Sequence, residues 1–355
     1  MSALSPQMAR TVESAPVVRL LASADVTRWD AFVEAMPEAT FFHRAGWRDV
    51  LARAFGHNSH YLLAESNGEI RGILPLAEIR SRLFGHSLIS TPFCVYGGVV
   101  ARDAAAHDVL IRAATALAAR LGVGHLELRN QHAPEANMLT KDLYVTFRAP
   151  MDADPEKNLL AIPRKQRAMI RKGIDAGLTS ELDADTGRCY RTYSDSVRHL
   201  GTPVFGRHYF RILKEVFGDA CEVLTVMRKD ALVASVLSFY FRDQVLPYYG
   251  GGTREAREVA GNDFMYWELM RRAGEKGVRV FDYGRSKVGT GSYSFKKNWG
   301  FKPAPLHYSY FLARATELPD VNPLNPKYRL FIETWKRLPT AVTNIIGPRI
   351  ARNLG

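Results

Sequence analysis

YLLAESNGEIRGILPL, from Tyr61 to Leu76, and VLTVMRKDALVASVLSF, from Val223 to Phe239, each run apolar segment, polar turn, apolar segment. That is the pattern of a β-hairpin. Each hairpin is followed by Tyr-Gly-Gly, at Tyr96 and at Tyr249, and then by a helical stretch. A short strand closing on an acid comes next, running from Gly122 to Glu127 in the first copy and from Gly277 to Asp282 in the second. One long spacing with two copies means a duplicated domain and not a solenoid. Hairpins mixed with helices imply α/β architecture with sheets that are not purely parallel.

Outward from the hairpins, residues 1–15 are small and polar and read as a disordered N-terminus. The first unit spans 16–152, with a strand at Val17 to Leu21 and a helix over Phe42 to Phe55 that turns Trp47, Val50, Leu51 and Ala54 to one face. A second helix follows from about Ala104 to Leu121, then a strand from His125 to Leu128. Residues 153–180 form a basic linker: Pro163 opens the helix RKQRAMIRKGIDAG and Gly177 ends it. The second unit, 181–315, repeats the order, with helices near Tyr190 to His199, Tyr209 to Phe217 and Asp263 to Lys276, the last capped by Asn262. In the tail, 316–355, Tyr328, Phe331, Ile332 and Trp335 make an apolar stripe at i, i+3, i+4 and i+7. Such an amphipathic stripe is expected to pack as core, with Ile345, Ile346 and Ile350 beyond it as candidates for contact with an anionic membrane.

Only the second copy runs on into FDYGRSKVGTGSYSFKKNWGF, Phe281 to Phe301. Strand alternation puts Asp282 on the side of Val278 and Val280, at the carboxyl end where α/β sheets open their crevices, so its carboxylate is expected at the cleft. Gly284, Gly289 and Gly291 allow tight turns that offer N–H groups to an anion, and Arg285 can grip phosphate bidentately. Lys296 is the sharper candidate: acyl transfer to an amine passes through a tetrahedral oxyanion, which a fixed ammonium stabilises by several kcal/mol in a dry site, on the order of one lost oxyanion donor. The linker helix carries Arg164, Lys165, Arg167, Arg171 and Lys172 with no acid among them. These spread over more than one face, so part of the run solubilises and part is available to an anion. His57 and His60 share a helical spacing, but a turn-like Asn58-Ser59 separates them and no third ligand is evident, so no metal site is expected.

A net charge of +12 implies an anionic partner without saying which. Cys94, Cys189 and Cys221 are odd in number and widely spaced, which indicates neither a disulfide framework nor a thiolate zinc site and suits a reducing cytoplasm. No apolar run approaches the length of a membrane span, so any membrane contact is expected to be peripheral, at the inner face of the cytoplasmic membrane.

The second-copy pattern Tyr248-Tyr249-Gly-Gly, helix, Asp282-Tyr-Gly-Arg285, Tyr293-Ser-Phe295-Lys296 resembles the Fem-type (FemAB-like) aminoacyl ligases of peptidoglycan bridge formation, over about Thr40 to Leu312. GRSKVGTGSYSFKKNWGF and LGTPVFGRHYF look most like the exosortase/PEP-CTERM-associated branch, whose members sit among exopolysaccharide functions. The resemblance implies tandem GNAT-like domains with the active site in the second. In the ligases the Phe-Lys pair binds the aminoacyl-tRNA end and stabilises the intermediate, which maps onto Phe295 and Lys296. An arginine that holds the acceptor's pyrophosphate maps onto Arg207. Two positions depart from the ligases: Leu51 stands where they have lysine four residues after the tryptophan, here Trp47, and Asn130 where they have an acceptor-side aspartate. The nearest register to an acetyl-CoA signature, Arg257 to Asn262, lacks both glycines.

These readings converge on an acyl- or aminoacyltransferase with no bound cofactor. Its donor is aminoacyl-tRNA or acyl-CoA, and its acceptor is an amino sugar or other amine of a cell-envelope or exopolysaccharide precursor. Lys296 and Asp282 are the catalytic candidates. Arg285, Arg207, Phe295, Tyr293, Tyr249, Lys165 and Arg167 are the substrate-binding ones. The rival is a non-catalytic scaffold on a membrane surface.

Overall fold

A computed structural model describes residues 14–81, 84–319 and 329–355, with the side chain of Arg329 not described. Tyr328 of the expected tail stripe and most of the expected disordered N-terminus lie outside these residues. Sixteen strands occur in chain order among them: β1 Val17–Leu20, β2 Ser59–Ser66, β3 Glu69–Ser81, β4 Gly85–Ser90, β5 Val100–Ala101, β6 His125–Asn130, β7 Leu139–Lys141, β8 Tyr144–Pro150, β9 Leu178–Asp183, β10 Cys221–Arg228, β11 Ala231–Phe241, β12 Gln244–Gly252, β13 Val280–Asp282, β14 Ser286–Lys287, β15 Pro303–Pro305 and β16 His307–Leu312.

Both predicted hairpins form. The first closes on Asn67-Gly68, whose φ values of 51° and 78° are those of the two-residue turn that matches strand twist. Each hairpin slips by one residue at a corresponding place, between Ala64 and Glu65 in β2 and between Val226 and Met227 in β10. In each half a hairpin strand is followed by a parallel pair, β4 with β6 and β12 with β13. The sheet orders are β1-β2-β3-β4-β6-β16-β7 and β9-β10-β11-β12-β13-β8-β14, with β5 on β3 and β15 on β8.

These orders reveal an exchange. Strand β8, which ends the first half, pairs antiparallel with β13 of the second, setting Arg148 opposite Asp282. Strand β16, which ends the second half, pairs antiparallel with β6 of the first, from His307 opposite Asn130 to Leu312 opposite His125. Each half thus completes the other's sheet.

The outer faces carry separate cores. Helix Ala104–Leu121 covers the first sheet through Leu110, Ala114, Leu117 and Ala118, and helix Gly261–Glu275 covers the second through Phe264, Trp267 and Met270. The inner faces share one core, in which Phe41 of the first half stacks on Phe239 of the second at 4.4 Å between ring centroids. Burying an aromatic ring of this kind stabilises by about 1.5–3 kcal/mol, so the two halves are held by apolar contact as well as by strand pairing.

Helix Gly261–Glu275 starts two residues earlier than expected, with Ala260 at φ 55° in the cap position instead of Asn262. The tail forms helices Arg329–Arg337 and Thr340–Ala351. It packs first on the second half's helix Gly187–Leu200, where Arg198 donates to the carbonyl of Lys336 at 3.0 Å and Trp335 is buried. It then reaches the first half, where His57 Nε2 donates to the Arg352 carbonyl at 2.8 Å and Arg352 donates to the carbonyl of Phe55. Leu330, Phe331, Ile345 and Ile346 remain exposed on its outer side.

Candidate active site

Strand β13 separates from β12 after two residue pairs, Gln244 with Val280 and Val245 with Phe281. Beyond the fork it follows β8 instead, and Tyr283 donates its N–H to the carbonyl of Phe147 at 2.9 Å. Gly284, at φ 65°, turns the chain away. Thr290 then caps helix Gly291–Asn298, its hydroxyl accepting from the N–H of Tyr293, and that helix carries Lys296 back toward the turn.

Lys296 is 9% exposed, and its Nζ donates to the carbonyls of Gly284 and Arg285, each at 3.0 Å. Burial pushes its pKa down to about 7, against the charge of Asp282 and with help from that of Arg285. An ammonium has three donors, and two are used here. The third is left for an incoming oxygen when the group is charged, and a lone pair takes its place when it is neutral. Phe295 packs among Tyr266, Tyr283 and Trp299, and Tyr293 lies edge-on at 5.5 Å to Phe147, over whose ring the Lys296 Nζ sits at 5.6 Å.

Asp282 is not at an open cleft, as alternation along its strand suggests, but 1% exposed between the halves. The exchanged strand β8 covers it: Arg148 Nε lies 3.2 Å from Oδ2, the Tyr96 hydroxyl donates at 3.0 Å and the Gly284 N–H donates at 2.7 Å. Burial pushes its carboxyl above the usual range in spite of Arg148, the Gly284 N–H, Tyr96 and Lys296. The Gly284 N–H expected for a bound anion is therefore already taken by Asp282.

Arg285 divides its atoms between two places. Its carbonyl holds Lys296, while its guanidinium stacks over Tyr144 at 4.5 Å and donates to the Tyr308 hydroxyl at 3.0 Å, on the side of the first sheet. Arg207 and Tyr249 belong to a different set of contacts. Arg207 is the exposed first residue of helix Arg207–Phe217 and lies over Tyr190 at 5.3 Å, and the Tyr249 hydroxyl is 3.0 Å from that of Tyr209.

The linker helix, Arg164–Asp175, joins the lysine helix through an inner relay. Gln166 donates to Asp263 at 2.9 Å, the same carboxylate oxygen accepts from the Trp299 indole at 3.1 Å, and Gly300 lies against Pro163. Gln166, Ile170 and Gly173 form the buried face. Arg164, Lys165, Arg171 and Lys172 are exposed and Arg167 is half-buried, and none of the five makes an ion pair among the described residues. Lys165 and Arg167 are thereby brought beside the end of the lysine helix.

The profile of the acetyltransferase (GNAT) domain matches residues 164–297. No curated protein matches the chain in sequence. Among solved structures, FemX shares 14% identity at a TM-score of 0.62, over 89% of this chain and 100% of that one. The C-terminal domain of a putative lysylphosphatidylglycerol synthetase from Agrobacterium fabrum shares 14% at 0.54, over 81% and 92%. A tandem GNAT protein from the clavulanic acid biosynthesis pathway shares 14% at 0.52, over 85% and 100%. The fold is a tandem GNAT fold. Within it, Lys296, Asp282, Tyr293 and Phe295 meet at the fork of the second sheet, with Lys165 and Arg167 on the adjoining helix.

Sequence reasoning passed over Arg148 and Tyr96 as partners of Asp282, and Gln166 as the link to Trp299. The one signal was a charged residue inside the strand YVTFRAP, since an arginine in such a run needs a partner. No described helix is long and apolar enough to cross a membrane.

Proposed function

We propose that the protein transfers an acyl or aminoacyl group from a polyanionic donor to an amine, at the fork of the second sheet. The carrying observation is Lys296: a nearly buried amine with one hydrogen-bonding position left, beside a helix whose five cations make no ion pair among the described residues. The amine nitrogen attacks the donor carbonyl and the C–N bond forms. The resulting oxyanion is held by the Lys296 ammonium. Collapse breaks the bond to the leaving oxygen or sulfur, and the proton lost by the amine ends on that leaving group. Asp282 acts in this scheme as a positioning residue: its oxygens are occupied by Arg148, Tyr96 and Gly284, and its charge opposes the loss of the Lys296 proton that burial favours.

Aminoacyl-tRNA is the favoured donor. Five cations along a twelve-residue helix extend further than one pyrophosphate requires. In addition, the segment that joins β12 to the following helix is itself folded into the short helix Arg254–Glu258, with neither glycine of an acetyl-CoA signature. Acyl-CoA is the second reading, supported by the GNAT-domain match. The acceptor, an amine of an envelope or exopolysaccharide precursor, rests on the Fem resemblance. Exposed Leu330, Phe331, Ile345 and Ile346, near the exposed cations Arg337 and Arg349, support work at an anionic membrane surface. The test is mass spectrometry of purified protein incubated separately with charged tRNA and a panel of acyl-CoAs, each with amino-sugar acceptors. A product from acyl-CoA alone reverses the choice of donor, and no product from either removes the transferase reading.

A further inference from the structure

Lys296 is held by the carbonyls of Gly284 and Arg285, and both of those residues are anchored on the first half's side of the boundary. Arg285 is anchored by its side chain, which lies over Tyr144 of β8 at 4.5 Å and donates to the Tyr308 hydroxyl at 3.0 Å. Gly284 is anchored by its N–H, which donates to Asp282 Oδ1 at 2.7 Å. Apart from that N–H, the carboxylate is held from the first half. Arg148 Nε lies 3.2 Å from Oδ2, and the Tyr96 hydroxyl bridges both oxygens, at 3.0 Å to Oδ2 and 3.2 Å to Oδ1.

The ring of Tyr96 packs edge-on against Phe42 at 5.9 Å, a contact that phenylalanine would make equally well. The hydroxyl has a separate role. Burial and the charge of Asp282 push the phenol well above its ordinary pKa, so it keeps its proton and donates it to the carboxylate. Thr146 Oγ1, 2.5 Å from the phenol oxygen, is then the donor to Tyr96, which makes a chain of three buried groups from Thr146 through Tyr96 to Asp282. Each donor in such a chain strengthens the next. Arg148 and Tyr96 stabilise the carboxylate by different means. Arg148 supplies a full positive charge, which offsets part of the carboxylate's field. Tyr96 acts as a neutral donor and leaves that field intact at Lys296. There it counts, because burial drives the proton off the amine, Asp282 opposes that loss and Arg285 aids it.

We propose that Tyr96 is a positioning residue for Lys296: from the first half, its hydroxyl keeps the Asp282 carboxylate charged and in place, and through Gly284 it keeps the amine directed at the fork. What the amine does at the fork rests on the transfer reading. The hold exerted by Tyr96 does not, and it is measurable without turnover.

The test is a pH titration of the full chain, isotopically labelled at the lysine Cε carbons and followed by nuclear magnetic resonance, with the Lys296 signal identified by its loss in Lys296→Arg. The wild-type midpoint is expected at about 7. Tyr96→Phe keeps the ring and removes the donor, so Asp282 takes up a proton more readily and the lysine midpoint should move to lower pH by about one unit or more. Thr146→Val leaves Tyr96 in place and should move the midpoint the same way by less; it carries the test if Tyr96→Phe does not fold. Above the wild-type midpoint, a shift of one unit leaves about a tenth as much ammonium. There kcat/KM of Tyr96→Phe should fall about tenfold and recover toward acid pH, a recovery that mere loosening of the fold would not give. A midpoint unmoved in the variants that fold overturns the proposal, and so does a move to higher pH. A midpoint that falls in a protein making no product with any donor supports the hold by Tyr96 while the transfer reading fails.

Discussion

The two halves share a plan and differ at one strand. In the second half, β12 runs unbroken from Gln244 to Gly252 and carries Tyr249-Gly250-Gly251 within it, and Gly251 allows close approach of helix Gly187–Leu200: a Cβ there would lie 2.4 Å from the Thr192 carbonyl oxygen. In the first half the corresponding path is broken between β4 and β5, and Tyr96-Gly97-Gly98 falls in the gap, where a Cβ on Gly98 would lie 2.0 Å from Asn130 Oδ1. The glycines serve close packing in both halves, against different neighbours. The tyrosines have diverged further. Tyr249 stays in its own half with Tyr209, while Tyr96 crosses to Asp282 of the other half. The halves therefore contribute unequally to the proposed site: the second supplies the loop that carries Lys296, and the first covers Asp282, through β8 and Tyr96.

The largest effect should come from the element that only the second half has. Lys296→Ala is expected to lower turnover about 10²–10³-fold while leaving far-ultraviolet circular dichroism unchanged. A folded variant that turns over like the wild type would remove Lys296 from the chemistry. The pH profile sharpens the role. With a free-enzyme pKa of about 7, an ammonium acting on the oxyanion requires kcat/KM to fall as pH rises through that value, whereas an amine acting as a base requires it to rise. Stability carries the same signature: the unfolded chain keeps the lysine proton up to the ordinary lysine pKa and the folded chain loses it near 7. Wild-type stability should therefore rise with pH across that window, a rise absent in Lys296→Ala.

The contact that crosses the halves comes next. Asp282→Ala leaves the half-buried Arg148 without its carboxylate and the buried Tyr96 hydroxyl and Gly284 N–H without their acceptor, and should cost about 1–3 kcal/mol by urea denaturation. A loss within about 0.5 kcal/mol, the range of ordinary surface changes, would mean that the pair does not hold the halves together. Neutralising Arg164, Lys165 and Arg167 should act on affinity and not on fold. If all three meet tRNA phosphates, the slope of log affinity against log salt should flatten by about 2–3. Binding that ignores both salt and these substitutions would take the helix out of the site. The smallest effect is expected at the tail, where Ile345→Ser with Ile346→Ser should reduce sedimentation with anionic vesicles a few-fold at low salt and leave thermal stability nearly unchanged. Should the wild-type chain itself stay in the supernatant, these residues have no membrane role.

Local pattern was enough to read both hairpins, the helix from Ala104 to Leu121 and the break at Gly177, because each is written in periodicity and turn chemistry over a few residues. Lys296 stood out for the same reason, in a short loop with its glycines. What could not be read is long-range. Alternation assigns Asp282 to a face of its strand but does not say that a strand from the other half will cover that face. Asn262 has the side chain of a helix cap, yet close packing there starts the helix at Gly261. Arg285 looked like a phosphate grip because its neighbours are glycines and lysines, whereas its direction is set by Tyr144 and Tyr308, both far from it in sequence.

The exchange of β8 and β16 also bears on how the molecule is made. When the ribosome has finished β6, its partner β16 has not been synthesised, and well over a hundred residues must follow before His307 to Leu312 emerge. At 5–20 residues per second the first sheet spends on the order of ten seconds or more with an unpaired central edge, exposed to any other strand nearby. Early in synthesis the nascent chain should therefore be a client for chaperones, and a gene split between the halves should yield soluble protein only when both fragments are expressed together.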